Sequence, residues 1–99
     1  MARRSGNLRG RAVGGGGRAF YSRGALCSIC GISEHQLILW EREELVTPAA
    51  IEEFRGRSEP LYDSSVLERV RLIRILGEEL EVNLPGIGII LNLLDRVPR

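Results

Sequence analysis

The chain has 99 residues, 43% hydrophobic and 27% charged, with a formal net charge of +1; this length supports one small domain with a modest core. The charge is uneven: residues 1–33 hold six arginines (Arg3, Arg4, Arg9, Arg11, Arg18, Arg23) and no acid, whereas residues 34–99 hold eight arginines against thirteen acids, about −5. The most apolar run, Val82 to Leu94, is too short to span a bilayer and contains Pro85 and two glycines.

Residues 1–20, "MARRSGNLRGRAVGGGGRAF", carry five arginines and six glycines and are expected to form a disordered Arg/Gly-rich tail. Three readings stand for it: a basic arm contacting nucleic acid, a passive tail, or a translated upstream segment. Its arginines lead into glycines rather than an apolar run, so no signal peptide is read. The expected location is the cytoplasm, where Cys27 and Cys30 stay reduced. The four glycines at 14–17 are no phosphate loop, because no strand precedes them and no Gly-Lys-Ser/Thr follows.

An ordered domain is expected from Tyr21, over residues 21–97. Ser22 can cap a helix reaching Cys30, with Leu26 and Ile29 inward and Gly31 supplying the left-handed residue after it. Ile32 packs beneath the turn. Ser33 then starts a second helix, with Gln36 three residues later in a capping-box pattern. Spacings of three and four turn Leu37 and Trp40 to the core and leave Glu41 and Glu44 wet. Two short helices linked by Gly-Ile-Ser carry the helix-turn-helix signature.

Pro48 ends the helical register, and "AIEEF" and "PLYD" around "RGRSE" suit a small wing-like hairpin. Asp63 can cap a third helix, "SSVLERVRLIRILGEEL", with Val66, Val70, Ile73 and Leu80 on one face, widened by Leu67 and Leu76. Asn83 can cap a fourth, with Pro85 in its first turn and Ile87, Ile90, Leu91 and Leu94 as its apolar stripe. The expected fold class is an all-α domain of four helices with a small wing.

Over Tyr21 to Arg96 the chain resembles the MerR-type winged helix-turn-helix superfamily. "YSRGALCSICGIS" matches its first helix and turn, "LWEREELVTP" the run leading to the wing, and "LYDSSVLERVRLIRIL" its tyrosine-preceded third helix. DNA readers of that type generally carry an arginine and an aromatic in the middle of the second helix, where this chain has Ile38 and Leu39. They also place an arginine two residues before that tyrosine, where this chain has Pro60. Glutamates 34, 41, 43 and 44 would meet a polyanion with like charge. MerR-type dimers form through a long C-terminal helix, and none follows Leu94. "EELEVNLPGIGIILNLLDR" looks closest to the chaperone-modulator (CbpM-like) group of the superfamily. That resemblance implies a regulator that binds the J-domain of a DnaJ-like co-chaperone, a partner with a basic helix.

The expected partner-binding residues are Glu34, His35, Ile38, Leu39, Glu41 and Arg42. An exposed aliphatic at 38 or 39, beside acids, suits a binding anchor with a charged rim. The alternative is a MerR-type DNA-binding regulator using Arg23, Arg42, Arg55 and Arg57, with the N-terminal arginines as a minor-groove arm. A third possibility is an adaptor that forms a homodimer through the apolar fourth helix. Cys27 and Cys30 read as small core residues: His35 is the only further nitrogen or sulfur ligand, so no zinc site is expected. No nucleophile–base arrangement is visible, and neither an enzyme nor a cofactor is expected.

Overall fold

The computed structural model describes residues 11–13 and 18–98. Within the segment expected to be a tail, β1 (Arg11–Val13) pairs antiparallel with β2 (Arg18–Phe20), Ala12 opposite Ala19. Residues 1–10 and 14–17 lie outside the described part, and with them the N-terminal arm and the glycine run.

Helix α1 (Arg23–Cys30) opens where the Ser22 hydroxyl accepts the Ala25 N–H at 3.1 Å. It closes at Gly31, φ 72°, whose N–H, like that of Ile32, donates to the Cys27 carbonyl. The left-handed residue thus satisfies a carbonyl that a helix end would leave open, at no steric cost because glycine has no Cβ. Leu26, Cys27 and Cys30 are buried. Ile29, expected inward, is 49% exposed; in so short a helix the two cysteines and Leu26 take the core side.

Helix α2 (Glu34–Arg42) begins with the Ser33 hydroxyl accepting the Gln36 N–H at 3.0 Å. Leu37 and Trp40 are its buried residues. Strands β3 (Ala50–Phe54) and β4 (Arg57–Leu61) form the wing, in a register that sets Phe54 against Arg57 and Ala50 against Leu61. The fold is therefore mostly helical but not all-α: four helices with a β-hairpin wing. The hairpin expected around "RGRSE" is thus present, closed by a two-residue turn at Arg55 and Gly56, both at positive φ.

Asp63 caps helix α3 (Ser64–Arg74), its carboxylate accepting the Ser65 and Val66 N–H groups. The chain continues through a π-helical turn, Ile75–Glu79. A π turn takes more residues per revolution than an α turn, so it rotates the side chains beyond it. This explains Leu80, expected on the face of Val66, Val70 and Ile73 but 64% exposed, while Leu76 is buried. Asn83 caps helix α4 (Leu84–Asp95), its side chain accepting the Gly86 N–H at 2.9 Å. Ile87 and Leu91 are buried and Ile90 packs against the core, but Leu94, in the last turn, is exposed.

One core joins all four helices: Leu26, Leu37, Trp40, Val46, Tyr62, Val70, Ile73 and Leu91 among others. Two arginines fasten its edges. Arg69 donates through Nε to the Leu45 carbonyl and pairs with both oxygens of Asp95, at 2.9 and 3.2 Å. Arg74 donates to the Cys30 carbonyl and pairs with Glu78. No described helix is long and apolar enough to cross a membrane.

Candidate protein-binding face on the second helix

Burying Leu37 and Trp40 fixes the rotation of α2 and leaves the opposite side to solvent. His35, Ile38, Leu39 and Arg42, at intervals of three and four, share that side, and all are exposed. Ile38 is 40% and Leu39 41% exposed; both face outward. Glu34 sits exposed in the first turn of the same helix. Arg42 closes the last turn, where a cation complements the helix dipole.

Glu41 behaves differently from the rest. One carboxylate oxygen pairs with Arg23 Nη2 at 3.0 Å, and the other accepts the Tyr62 hydroxyl at 2.5 Å. Tyr62 is fully buried, and the Glu41 side chain is largely so. Expected to stay wet and to meet a partner, Glu41 instead ties α2 to α1 and to Tyr62, the residue that follows β4. Arg23, expected as a phosphate contact, is held in the same cluster. Burial first, and then the bond to Glu41, push the Tyr62 phenol well above its ordinary range. Burial opposes the Arg23 charge, but Tyr62 and Glu41 outweigh it and the guanidinium pKa rises.

At its C-terminal end α2 finishes on Glu43, and Glu44 takes the left-handed position at φ 63°. The Leu45 N–H then returns to the Trp40 carbonyl at 2.9 Å. A glycine would fill that position without strain, whereas a side chain there costs about 1 kcal/mol. An acid at a helix C-terminus is also on the wrong side of the dipole. Glu43 and Glu44 are both exposed, so the apolar pair has acids at either end of its helix.

The wing tip holds the remaining expected cations. Arg55, at φ 52°, lies over the Phe54 ring at 5.2 Å, and Arg57 faces Glu59 at 3.4 Å. Both arginines and Phe54 are exposed. Pro60 stands half-buried in β4 opposite Ile51.

Cys27 and Cys30 are free thiols, raised in pKa chiefly by burial. A high thiol pKa disfavours the thiolate that redox and metal chemistry require. Among the described residues no group of three or more His, Cys, Asp or Glu could hold a metal ion.

Sequence reasoning missed the Arg23–Glu41–Tyr62 cluster, whose members lie 18 and 21 positions apart along the chain. The one local signal was Tyr62 itself, a tyrosine beside a helix cap whose hydroxyl needs a partner once buried. A comparison with curated proteins returns no match. The profile of the family described as MerR HTH family regulatory protein matches residues 22–99.

Proposed function

The chain belongs to the MerR family of helix-turn-helix regulatory proteins, and from that premise we propose that it works by binding protein rather than by reading DNA or catalysing a reaction. The partner is the J-domain of a DnaJ-like co-chaperone, and the effect is to modulate it. One observation carries this reading: the solvent side of the second helix presents Ile38 and Leu39, both about two-fifths exposed, on a helix that has Glu34 at one end and Glu43 and Glu44 at the other. An apolar anchor with a charged rim is the usual anatomy of a protein interface. Its negative sign suits a basic helix and opposes a phosphate backbone.

The proposed mechanism is occlusion. Ile38 and Leu39 dock on the J-domain while Glu34, Glu43 and Glu44 face the basic surface that a DnaK-type chaperone needs. Glu41 has no direct part, because it is occupied inside the fold. His35 and Arg42 share the exposed side and make up its polar margin.

A MerR-type DNA-binding regulator is the second reading, and the wing tip favours it: Arg55 and Arg57, beside Phe54, project into solvent, as phosphate contacts would. Against it, Arg23 is engaged with Glu41.

Calorimetric titration of the chain into the J-domain of its own organism's DnaJ-like protein, with a random-sequence duplex in parallel, separates the two. Micromolar binding to the J-domain, lost in Ile38→Arg, is the expected outcome. Duplex binding that falls steeply with salt, with none to the J-domain, would replace this reading by the second.

A further inference from the structure

Arg69 and Arg74 differ in reach. The carboxylate that pairs with Arg74 lies four positions on, at Glu78, whereas both partners of Arg69 are distant: the Leu45 carbonyl is 24 residues away and Asp95 is 26. From the middle of α3, one guanidinium meets the chain just past α2 with Nε and the last residue of α4 with both terminal nitrogens.

What it holds at Leu45 is a helix end under strain. Helix α2 closes in a Schellman motif: the Glu44 N–H donates to the Glu41 carbonyl at 3.0 Å, and the Leu45 N–H to the Trp40 carbonyl at 2.9 Å. The left-handed place in that motif ordinarily belongs to glycine, but here Glu44 occupies it at φ 63°. Local preference therefore opposes the turn, and the surroundings of Leu45 have to over-determine it. They hold it in two ways. The Leu45 side chain is buried against α4 at Gly88, where a Cβ would stand 3.5 Å from Leu45 Cδ2. The Leu45 carbonyl accepts from Arg69.

We infer that Arg69 is a positioning residue that couples the end of α4 to the end of α2. Pairing with Asp95 fixes the guanidinium where it can hold Leu45, and so keeps Glu43 and Glu44 at the margin of the α2 face. A planar fork can serve both acceptors at once, which one ammonium cannot. Such coupling is reciprocal. Whatever engages Asp95, whose side chain is 53% exposed, loosens the end of α2, and whatever grips that end steadies the last turn of α4. The functional half of this inference rests on α2 being the binding face; the coupling itself does not.

Asp95→Ala is the informative variant. Alanine favours a helix, and losing a negative charge at a helix C-terminus relieves the dipole, so α4 acquires no weakness of its own. Amide hydrogen exchange of the full chain should show Leu45 exchanging about tenfold faster, with Leu26 and Gly31 unchanged. Adding Glu44→Gly, which removes the left-handed strain, should return Leu45 to its original rate. Arg69→Lys should resemble Asp95→Ala. An unchanged Leu45, an acceleration shared equally by Leu26 and Gly31, or a failure of glycine to rescue would each overturn the coupling. Calorimetric affinity for the J-domain should fall about tenfold in Asp95→Ala. Unaltered affinity overturns the functional half. A J-domain that does not bind the unsubstituted chain removes that half together with the reading of α2, and leaves the coupling to stand on the exchange rates.

Discussion

Among the described residues, arginine, glutamate and an aromatic ring come together at two places, with opposite outcomes. Where α1 and α2 meet the chain just after β4, Arg23, Glu41 and Tyr62 form one bonded cluster around a fully buried ring. At the wing tip, Phe54, Arg55, Arg57 and Glu59 are all exposed, with Arg55 5.2 Å from the centre of the Phe54 ring and Arg57 3.4 Å from Glu59. In the first place the charges are partly buried, with side-chain exposures of 32% for Arg23 and 17% for Glu41, and they depend on one another; in the second, water can substitute for any of them. A charged residue near a helix-turn-helix is therefore no guide to its role until its surroundings are known.

The junction is the place to break this contrast. Tyr62→Ala removes a fully buried ring and should lower unfolding free energy by about 3–5 kcal/mol, measured by urea denaturation. Glu41→Gln keeps the shape but withdraws the charge facing Arg23, and should lower it by about 1–3 kcal/mol. A loss under a few tenths of a kcal/mol would mean that the cluster is as dispensable as a surface pair.

Alkali offers a subtler test. The unfolded phenol ionises near its ordinary value of 10, whereas the folded Tyr62 keeps its proton to higher pH. A group whose pKa is raised on folding contributes its stability in full below the unfolded pKa, and that contribution is lost as pH rises from there through the folded pKa. Urea midpoints should accordingly fall as pH climbs above about 10, and less steeply in Tyr62→Phe. The smallest effect belongs to the wing tip: Phe54→Ser should change stability by no more than about 0.5 kcal/mol. A larger loss there would erase the distinction between the two clusters.

What could be read from the amino-acid order was whatever is settled within a few residues. Ser22, Ser33, Asp63 and Asn83 each cap the helix they precede, and Gly31 ends the first at positive φ. These signals are local, because the capped N–H lies two or three positions away. The wing emerged from a Pro and a change of period. Leu80 was misplaced because a π turn shifts the rotation of everything after it, and no residue between Ile75 and Glu79 announces one. Glu41 was misplaced for another reason: a glutamate at helical spacing looks solvated unless the distant tyrosine that claims it is known. On the candidate face, the position of Ile38 and Leu39 followed directly from Leu37 and Trp40 being buried. The separation of Glu41 from its exposed neighbours did not.

Tyr21 and Tyr62 exchange both backbone hydrogen bonds, Tyr21 N–H to the Tyr62 carbonyl at 2.6 Å and Tyr62 N–H to the Tyr21 carbonyl at 2.9 Å. The consequence is kinetic. The pair clasps the two ends of the entire helix-turn-helix and wing, so the longest loop in that half of the molecule closes there. Loop-closure entropy grows only slowly with length, but it is incurred before the contacts that offset it have formed. The α1–α2 turn, held by neighbours in the chain, can come and go rapidly. Meeting of the two tyrosines is then the step expected to set how fast this half of the domain acquires its native shape.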